Sequence, residues 1–282
     1  MSDLSKLILI LLPLLFGNAS SQQKQDWQIL FNGRDLRGWD TYIGPLVNPS
    51  NQQFSGDPIG LNKDPNKVFS VVRDREGAAI RISGENFGGI STRQEFENYH
   101  LQIKFKWGEL TWVPKKGKKK DSGVLYHCVG AHGADYGFWM RSQEFQVQEG
   151  DCGDYWGVAG GTADIPANRK SDSEYIYSPS AQIYHFSADA KSGRHCIKYP
   201  DAENPTGEWN QIDIYCHGDT SVHQVNGITV MVLYHNGQSD KGVEKPLTKG
   251  KLQIQSEGAE VFYRDIRIQP ISQIPPLVLK GS

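Results

Sequence analysis

Beyond its first twenty residues the sequence has no long apolar run. It has no extended helical periodicity, no C-x-x-C pair and almost no net charge. Each shortage excludes something. A transmembrane helix needs about 18 or more apolar residues in succession, and the body of the chain offers none. Without apolar positions recurring at i, i+3 and i+4, helices do not build the core. A formal net charge of -2 over 282 residues gives no global electrostatic reason to bind nucleic acid. The one basic run, Lys115 to Lys120 (K-K-G-K-K-K), reads as a solvated loop between two strand-like segments. The four cysteines, Cys128, Cys152, Cys196 and Cys216, lack zinc-knuckle or thioredoxin-like spacing. In an exported chain they allow three disulfide pairings, which sequence does not separate.

The apolar run that does exist is N-terminal. Lys6 precedes Leu7 to Phe16, and the small residues Gly17, Ala19, Ser20 and Ser21 follow. This is the grammar of a secretory signal peptide over residues 1–21, and the run is short for a membrane span. The expectation is export to the periplasm or beyond, with no membrane insertion once the signal is removed. About 260 residues remain, enough for one large β domain.

What is abundant points to strands and turns. Phe, Tyr and Trp number 11, 12 and 7 against 30 Gly, which favours short strands joined by tight turns. Tyr99 to Trp107 is the cleanest strand: Tyr99, Leu101, Ile103, Phe105 and Trp107 alternate with His100, Gln102, Lys104 and Lys106. Further strands are predicted at 68–73, 78–82, 90–92, 123–129, 211–217, 221–225, 228–233, 250–255 and 261–269. Residues 41–67 read as a long irregular loop, and 158–205 as the least regular segment. The pattern predicts an all-β fold, one antiparallel β-sandwich over residues 22–270, with 271–282 as a surface tail.

The stretch Ser142 to Asp154, S-Q-E-F-Q-V-Q-E-G-D-C-G-D, holds the strongest site pattern. On a strand, Phe145 and Val147 point one way while Glu144, Gln146 and Gln148 point the other. One carboxylate and two carboxamides in a row suit a polyhydroxylated ligand, and equally an ordinary solvated face. Trp139 and Trp156 are candidates to stack on sugar rings, or to be buried anchors. His127, on the preceding strand, is as readily a hydrogen-bonded sheet residue as a reactive one.

Several segments in order resemble a family of secreted bacterial proteins named for 3-keto-disaccharide hydrolase activity. They are I-L-F-N-G-R-D-L-R-G-W at the start, D-S-G-V-L-Y-H (Asp121 to His127), E-F-Q-V-Q (Glu144 to Gln148) and G-E-W-N (Gly207 to Asn210). H-Q-V-N-G (His223 to Gly227), K-G-K-L-Q-I-Q-S-E-G (Lys249 to Gly258) and F-Y-R-D-I-R-I (Phe262 to Ile268) complete the set. The resemblance implies a concanavalin A-like jelly roll with the Glu144 strand in a carbohydrate groove. It also implies a 3-keto sugar substrate, whose C2–H is acidified by the neighbouring ketone. One base then suffices to start an elimination at C1, and water adds to the enone. In that chemistry Glu144 is the candidate base or metal ligand and His127 its acid/base partner or a second ligand. Arg141, His132 and Asp151 are candidates to orient the substrate, with Gln146, Gln148, Trp139 and Trp156 binding it. A divalent cation is compatible with the chemistry as a Lewis acid at the ketone, though no spacing in the sequence points to one. An upstream sugar oxidoreductase is the partner such a substrate calls for. The alternatives are a non-catalytic lectin-like module and a conventional glycoside hydrolase. The hydrolase needs two carboxylates, so Glu149 or Asp151 would have to bend back beside Glu144.

Overall fold

The computed structural model describes residues 27–48 and 50–280. The segment read as a signal peptide lies outside the described residues. Two large antiparallel sheets stack face to face, and the short helix Pro276–Lys280 follows them. Among the described residues no helix is long and apolar enough to cross a membrane. The fold is an antiparallel β-sandwich of the concanavalin A-like jelly-roll class.

The larger sheet is built on Tyr99–Thr111, which pairs with Asn210–His217 on one side and Ala259–Pro270 on the other. The smaller sheet carries the site. Its order runs His195–Cys196, Tyr155–Val158, Arg141–Gln148, Asp121–Val129, Lys249–Ser256, Gly88–Thr92, Trp39–Ile43 and Gly60–Leu61. The inward rows interdigitate between the sheets. Val124, Tyr126, Phe145, Val147, Leu252 and Ile254 from the smaller sheet meet Leu101, Ile103, Phe105, Ile212, Ile214 and Tyr263 from the larger. These side chains are almost wholly buried, and each contributes on the order of 2 kcal/mol of apolar burial. Register is thereby fixed, because a one-residue slip would turn this row to the outside.

Two segments read as irregular contain short ladders. Within 41–67 lie Leu46–Asn48 and Gln53–Ser55, paired as a separate hairpin. Within 158–205 lie Gly161–Arg169, Tyr175–Tyr177 and Ile183–Phe186, which extend the larger sheet. Tyr155, Ile165, Phe186 and Met231 help to form a second cluster there, and Ile274 of the tail packs into it. The tail is thus partly anchored, and Thr229 Oγ1 also donates to the carbonyl of Val278 at 2.8 Å. The four cysteines are free and buried, so the disulfides that export would permit are not formed here.

Candidate active site

Antiparallel register puts the polar row where alternation predicts it. Asp121 faces Gln148, Gly123 faces Gln146, and Leu125 faces Glu144. With Phe145 and Val147 committed to the core, Glu144, Gln146 and Gln148 project from the outer face. They line a cavity of 580 Å³.

Residues from outside the row complete it. Asp121 opens its strand on the same face, and Gln255 and Glu257 come from the other flank. Lys115 reaches in from the loop before Asp121. Its segment is pinned by Trp112, whose backbone N–H donates to the Gly258 carbonyl at 2.8 Å and whose indole donates to Ser83 at 2.9 Å. The Lys115 ammonium pairs with the Asp121 carboxylate and lies 3.2 Å from Glu257 Oε1. The basic run is therefore not simply a solvated loop: its first lysine is half-buried in the groove. Asp121 also accepts from Gln148 Nε2 at 2.7 Å and from Gln146 Nε2 at 3.1 Å.

Gly123 is what lets two of these groups sit so close to the sheet. A Cβ there would fall 2.2 Å from Glu144 Oε1 and 2.4 Å from Gln255 Oε1. Both side chains lie directly over the glycine. Gln255 Oε1 is buried with no hydrogen-bond partner among the described residues, so it is an acceptor held ready.

The electrostatics follow from crowding. Burial raises the Glu144 pKa well above the usual carboxylate range, and the charges of Glu257, Asp121 and Asp135 raise it further, while Arg194 opposes. Burial raises Glu257 and Asp121 as well, with Lys115 pulling both back. Lys115 is itself raised by its two carboxylates, against its own burial.

The other end of the groove is aromatic. Phe54 from the short hairpin packs on Phe138 with centroids 4.6 Å apart and on Phe87 at 4.8 Å. Trp139 packs beside Phe138, and its indole is spent on the Gly88 carbonyl at 3.1 Å. Trp156, directly across from Glu144, stacks on His195 at 4.3 Å. Arg194 lies over both Tyr136 and Trp156 and pairs with Asp135 at 3.2 Å.

Of the nine residues singled out in the sequence, the structure gathers five at this groove: Glu144, Gln146, Gln148, Trp139 and Trp156. The other four lie elsewhere. His127 is the main correction. A bulge after Tyr126 breaks the two-residue alternation, and His127 takes a φ of 54°. Its ring turns inward against Tyr99 and Tyr126, at 5.6 and 5.3 Å, and is wholly buried. Burial lowers its pKa to about 4, so it is a neutral interior ring with no access to the groove. Arg141 donates to the Ala159 carbonyl at 2.7 Å, at the edge of the sheet. His132 stacks on Tyr42 at 5.3 Å. Asp151 pairs with Lys119 at 2.6 Å. Glu149, the other acid considered as a partner for Glu144, accepts from the Lys120 backbone and from Thr206.

Asp121, Gly123, Gln255 and Glu257 went unmarked as site residues, although all four fall inside the motifs D-S-G-V-L-Y-H and K-G-K-L-Q-I-Q-S-E-G. The usable signal was the glycine inside a strand, two residues after Asp121, which marks a close approach by other groups. Among the described residues no group of three or more His, Cys, Asp and Glu side chains is arranged to hold a metal ion. The cation between Asp121 and Glu257 is Lys115.

The ordered motifs around this groove extend over nearly the whole domain. The chain belongs to the 3-keto-alpha-glucoside-1,2-lyase-like domain family, which matches residues 26–269. Its role is carbohydrate-active. No curated protein matches the chain. Among solved structures it is similar to a "Putative glycosyl hydrolase" from Parabacteroides distasonis, with 19% identity over 87% of this chain and 100% of that one, at a TM-score of 0.49. It is similar to the carbohydrate-binding module CBM66 of Bacillus subtilis, with 8% identity over 82% and 95% of the two chains, at a TM-score of 0.43. It is also similar to the catalytic domain of an endo-1,3-beta-glucanase (laminarinase) of Thermotoga petrophila, with 15% identity over 88% and 100%, at a TM-score of 0.36.

Proposed function

We propose that the groove cleaves the glycosidic bond of 3-keto-glucosides by elimination followed by hydration, with Glu144 as the base. The observation that supports this most is the state of Glu144. It is a carboxyl lining the groove, made more basic by burial and by neighbouring negative charge, in a family named for a 3-keto-glucoside lyase.

The ionised Glu144 takes the proton from C2, which the C3 ketone has acidified. The electron pair moves onto the C3 oxygen, and the Lys115 ammonium is a groove cation placed to stabilise that enolate. As the enolate collapses, the C1–O bond breaks. The alcohol leaves with the proton that Glu144 returns, and the 1,2-enone remains. Water then adds, hydroxyl to C1 and hydrogen to C2, giving the free 3-keto sugar. Gln146 and Gln148 are fixed by Asp121, and the free Gln255 Oε1 accepts from a sugar hydroxyl. An oxidoreductase must act first to make the ketone. With residues 1–21 taken as an export signal, the reaction runs outside the cytoplasm.

A conventional glycoside hydrolase draws support from one observation: Asp121 and Glu257 share the groove with Glu144, so paired carboxylates are present after all. Against it, the Asp121 oxygens are already engaged by Lys115, Gln146 and Gln148. One experiment separates the readings. The protein is incubated with a 3-keto-glucoside and with its unoxidised parent, and Glu144→Gln is compared. Cleavage of the keto form alone, lost in Glu144→Gln, is expected. Equal cleavage of both refutes the elimination, and cleavage of neither favours a lectin-like module.

A further inference from the structure

We propose that Arg194 is the catalytic residue on the leaving-group side of the groove: its guanidinium donates to the C1 oxygen as the C1–O bond breaks, and to hydroxyls of the departing group. The proposal rests on the 3-keto-glucoside reading and adds the residue that receives the leaving group.

Glu144 stands between two charged clusters. On the flank of Asp121–Val129, Lys115 pairs with Asp121 and Glu257. On the flank of Tyr155–Val158, Trp156 lies directly across from Glu144, and the Arg194 guanidinium carbon lies 5.5 Å from the Trp156 ring centroid. Arg194 is near enough that its charge opposes the upward shift of the Glu144 pKa. Carbons C1 and C3 lie on opposite sides of C2 in the sugar. With the base at C2 and the C3 oxygen toward Lys115, the C1 oxygen is directed toward Arg194.

The arginine is anchored, yet it keeps free donors. Its backbone carbonyl accepts from the Gly157 N–H at 2.8 Å, which ties it to the edge of the sheet. Its Nη1 donates to Asp135 Oδ1 at 3.2 Å and to the Gly157 carbonyl at 3.4 Å. Nε and Nη2 donate to no described residue, on a side chain that lines the groove. Asp135 is buried, so the guanidinium is oriented before substrate arrives. Trp156, Tyr136 and Phe138 line the same end. Aromatic faces beside a charged hydrogen-bonding pair suit a sugar ring, which has apolar C–H faces and a polar edge.

The electron pair of the C1–O bond goes to the leaving oxygen, and the enolate pair becomes the C1–C2 double bond. The proton still comes from Glu144. Arg194 stays protonated throughout and stabilises the charge on the oxygen until that proton arrives.

The test compares Arg194→Met with the double variant Asp135→Asn/Arg194→Met, which leaves no unpaired buried carboxylate. Each is assayed on the 3-keto forms of a glucosyl-glucose disaccharide and of 4-nitrophenyl α-glucoside, with the uncatalysed rate subtracted. A 4-nitrophenolate departs without help, whereas a sugar alkoxide does not. Both variants are expected to lose about a hundredfold in kcat on the disaccharide and less than about threefold on the nitrophenyl substrate. In deuterated water, 3-keto disaccharide recovered from Arg194→Met is expected to carry deuterium at C2, because Glu144 still takes the proton; that recovered from Glu144→Gln carries none. Calorimetric titration of the unoxidised disaccharide and of methyl α-glucoside reads binding alone. Arg194→Met is expected to weaken the disaccharide about tenfold and to leave methyl α-glucoside unchanged. If the 3-keto forms are cleaved and the variants lose equally on both, or on neither, the lyase reading stands and the assignment of Arg194 is overturned. If no 3-keto form is cleaved but the binding difference appears, the lyase reading fails and the Arg194 subsite stands. With neither cleavage nor a binding difference, both fail.

Discussion

Gly123→Ala separates the groove chemistry from the stability of the sheet. The added methyl would fall 2.2 Å from Glu144 Oε1 and 2.4 Å from Gln255 Oε1, where about 3.4 Å or more is comfortable. Both obstacles are the far ends of side chains, so they yield by an ångström or more and the backbone stays. Overpacking of this kind costs about 1 kcal/mol, at the low end of its usual range. In a domain of this size that lowers Tm by about 2–4 °C. Displacing the base by an ångström is another matter, because misplacement on that scale costs about a hundredfold in rate. The expected signature is kcat for a 3-keto-glucoside reduced about a hundredfold with Tm lowered by only about 2–4 °C.

The chain supplies its own control. A Cβ on Gly108 would fall 2.3 Å from Glu260 Oε2 and 2.5 Å from its Cγ. Glu260 pairs with Arg81 at 2.7 Å and does not line the groove. Gly108→Ala therefore applies a comparable steric insult away from the site, with a Tm loss at least as large and kcat unchanged. Thermal melts and steady-state kinetics on the two variants decide the matter. A Gly123→Ala enzyme with kcat within about threefold of wild type would show that Glu144 does not act from its position over Gly123.

Three further outcomes follow from the charges. The base must be ionised, and Glu144 is held above the ordinary glutamate value, so kcat/KM for a 3-keto-glucoside is expected to rise with pH through a midpoint above 4.5. A limb at or below 4.5 in the pH–rate profile refutes that assignment. Lys115→Met removes the cation between Asp121 and Glu257. It is expected to lower kcat about a hundredfold and stability by about 2 kcal/mol, read by kinetics and urea unfolding, and unchanged kcat removes Lys115 from the mechanism. His127 and His223 are buried and titrate at about 4 in the fold, against 6.5 when unfolded. Their neutral forms are favoured in the native state, so the stability they permit is complete above pH 6.5 and falls as the unfolded chain takes up protons down to about pH 4, by about 3 kcal/mol each. Urea unfolding across that range, compared with His127→Phe, checks the slope, and identical slopes in the two proteins refute it.

The parts of the fold legible in the sequence were those governed by alternation. Tyr99 to Trp107 presents a clean apolar face, and in Arg141–Gln148 the pair Phe145 and Val147 sets the phase, so period two is enough to orient Glu144, Gln146 and Gln148. His127 was illegible for the same reason. One extra residue at the bulge reverses the phase of everything after it, so Leu125 and Cys128 share the outer cluster while Tyr126 and His127 both turn inward. Lys115 was hidden differently. Nothing local separates it from the other lysines of its run; what draws it in is Asp121 together with Glu257, and sequence separation places Glu257 out of view. The Phe54 hairpin was missed because three-residue strands are too short to show a period.

The number of carboxyls in the groove bears on how a single base arises there. Glu144, Asp121, Glu257 and Asp135 share the groove with two cations, Lys115 and Arg194. Were all four ionised, the groove would hold two uncompensated negative charges in a partly desolvated space, and crowding of that kind is relieved by retaining protons. Asp121 has the strongest claim to the charge, since Lys115 and two amides donate to it. Glu257 and Glu144 are both pushed upward, but Glu257 has Lys115 at 3.2 Å, whereas the charges acting most strongly on Glu144 are other carboxylates. The carboxyl with least help in staying ionised is therefore the one that holds a captured proton most readily. A base for an α-proton needs that property, because it must keep the proton while the enolate forms and give it up when the alcohol departs. A nucleophile in a glycosidase needs the reverse, a carboxylate kept ionised and a good leaving group. On that ground Glu144 suits proton transfer better than covalent catalysis, and Asp121, the better-stabilised anion, is the residue that holds the amide row in place.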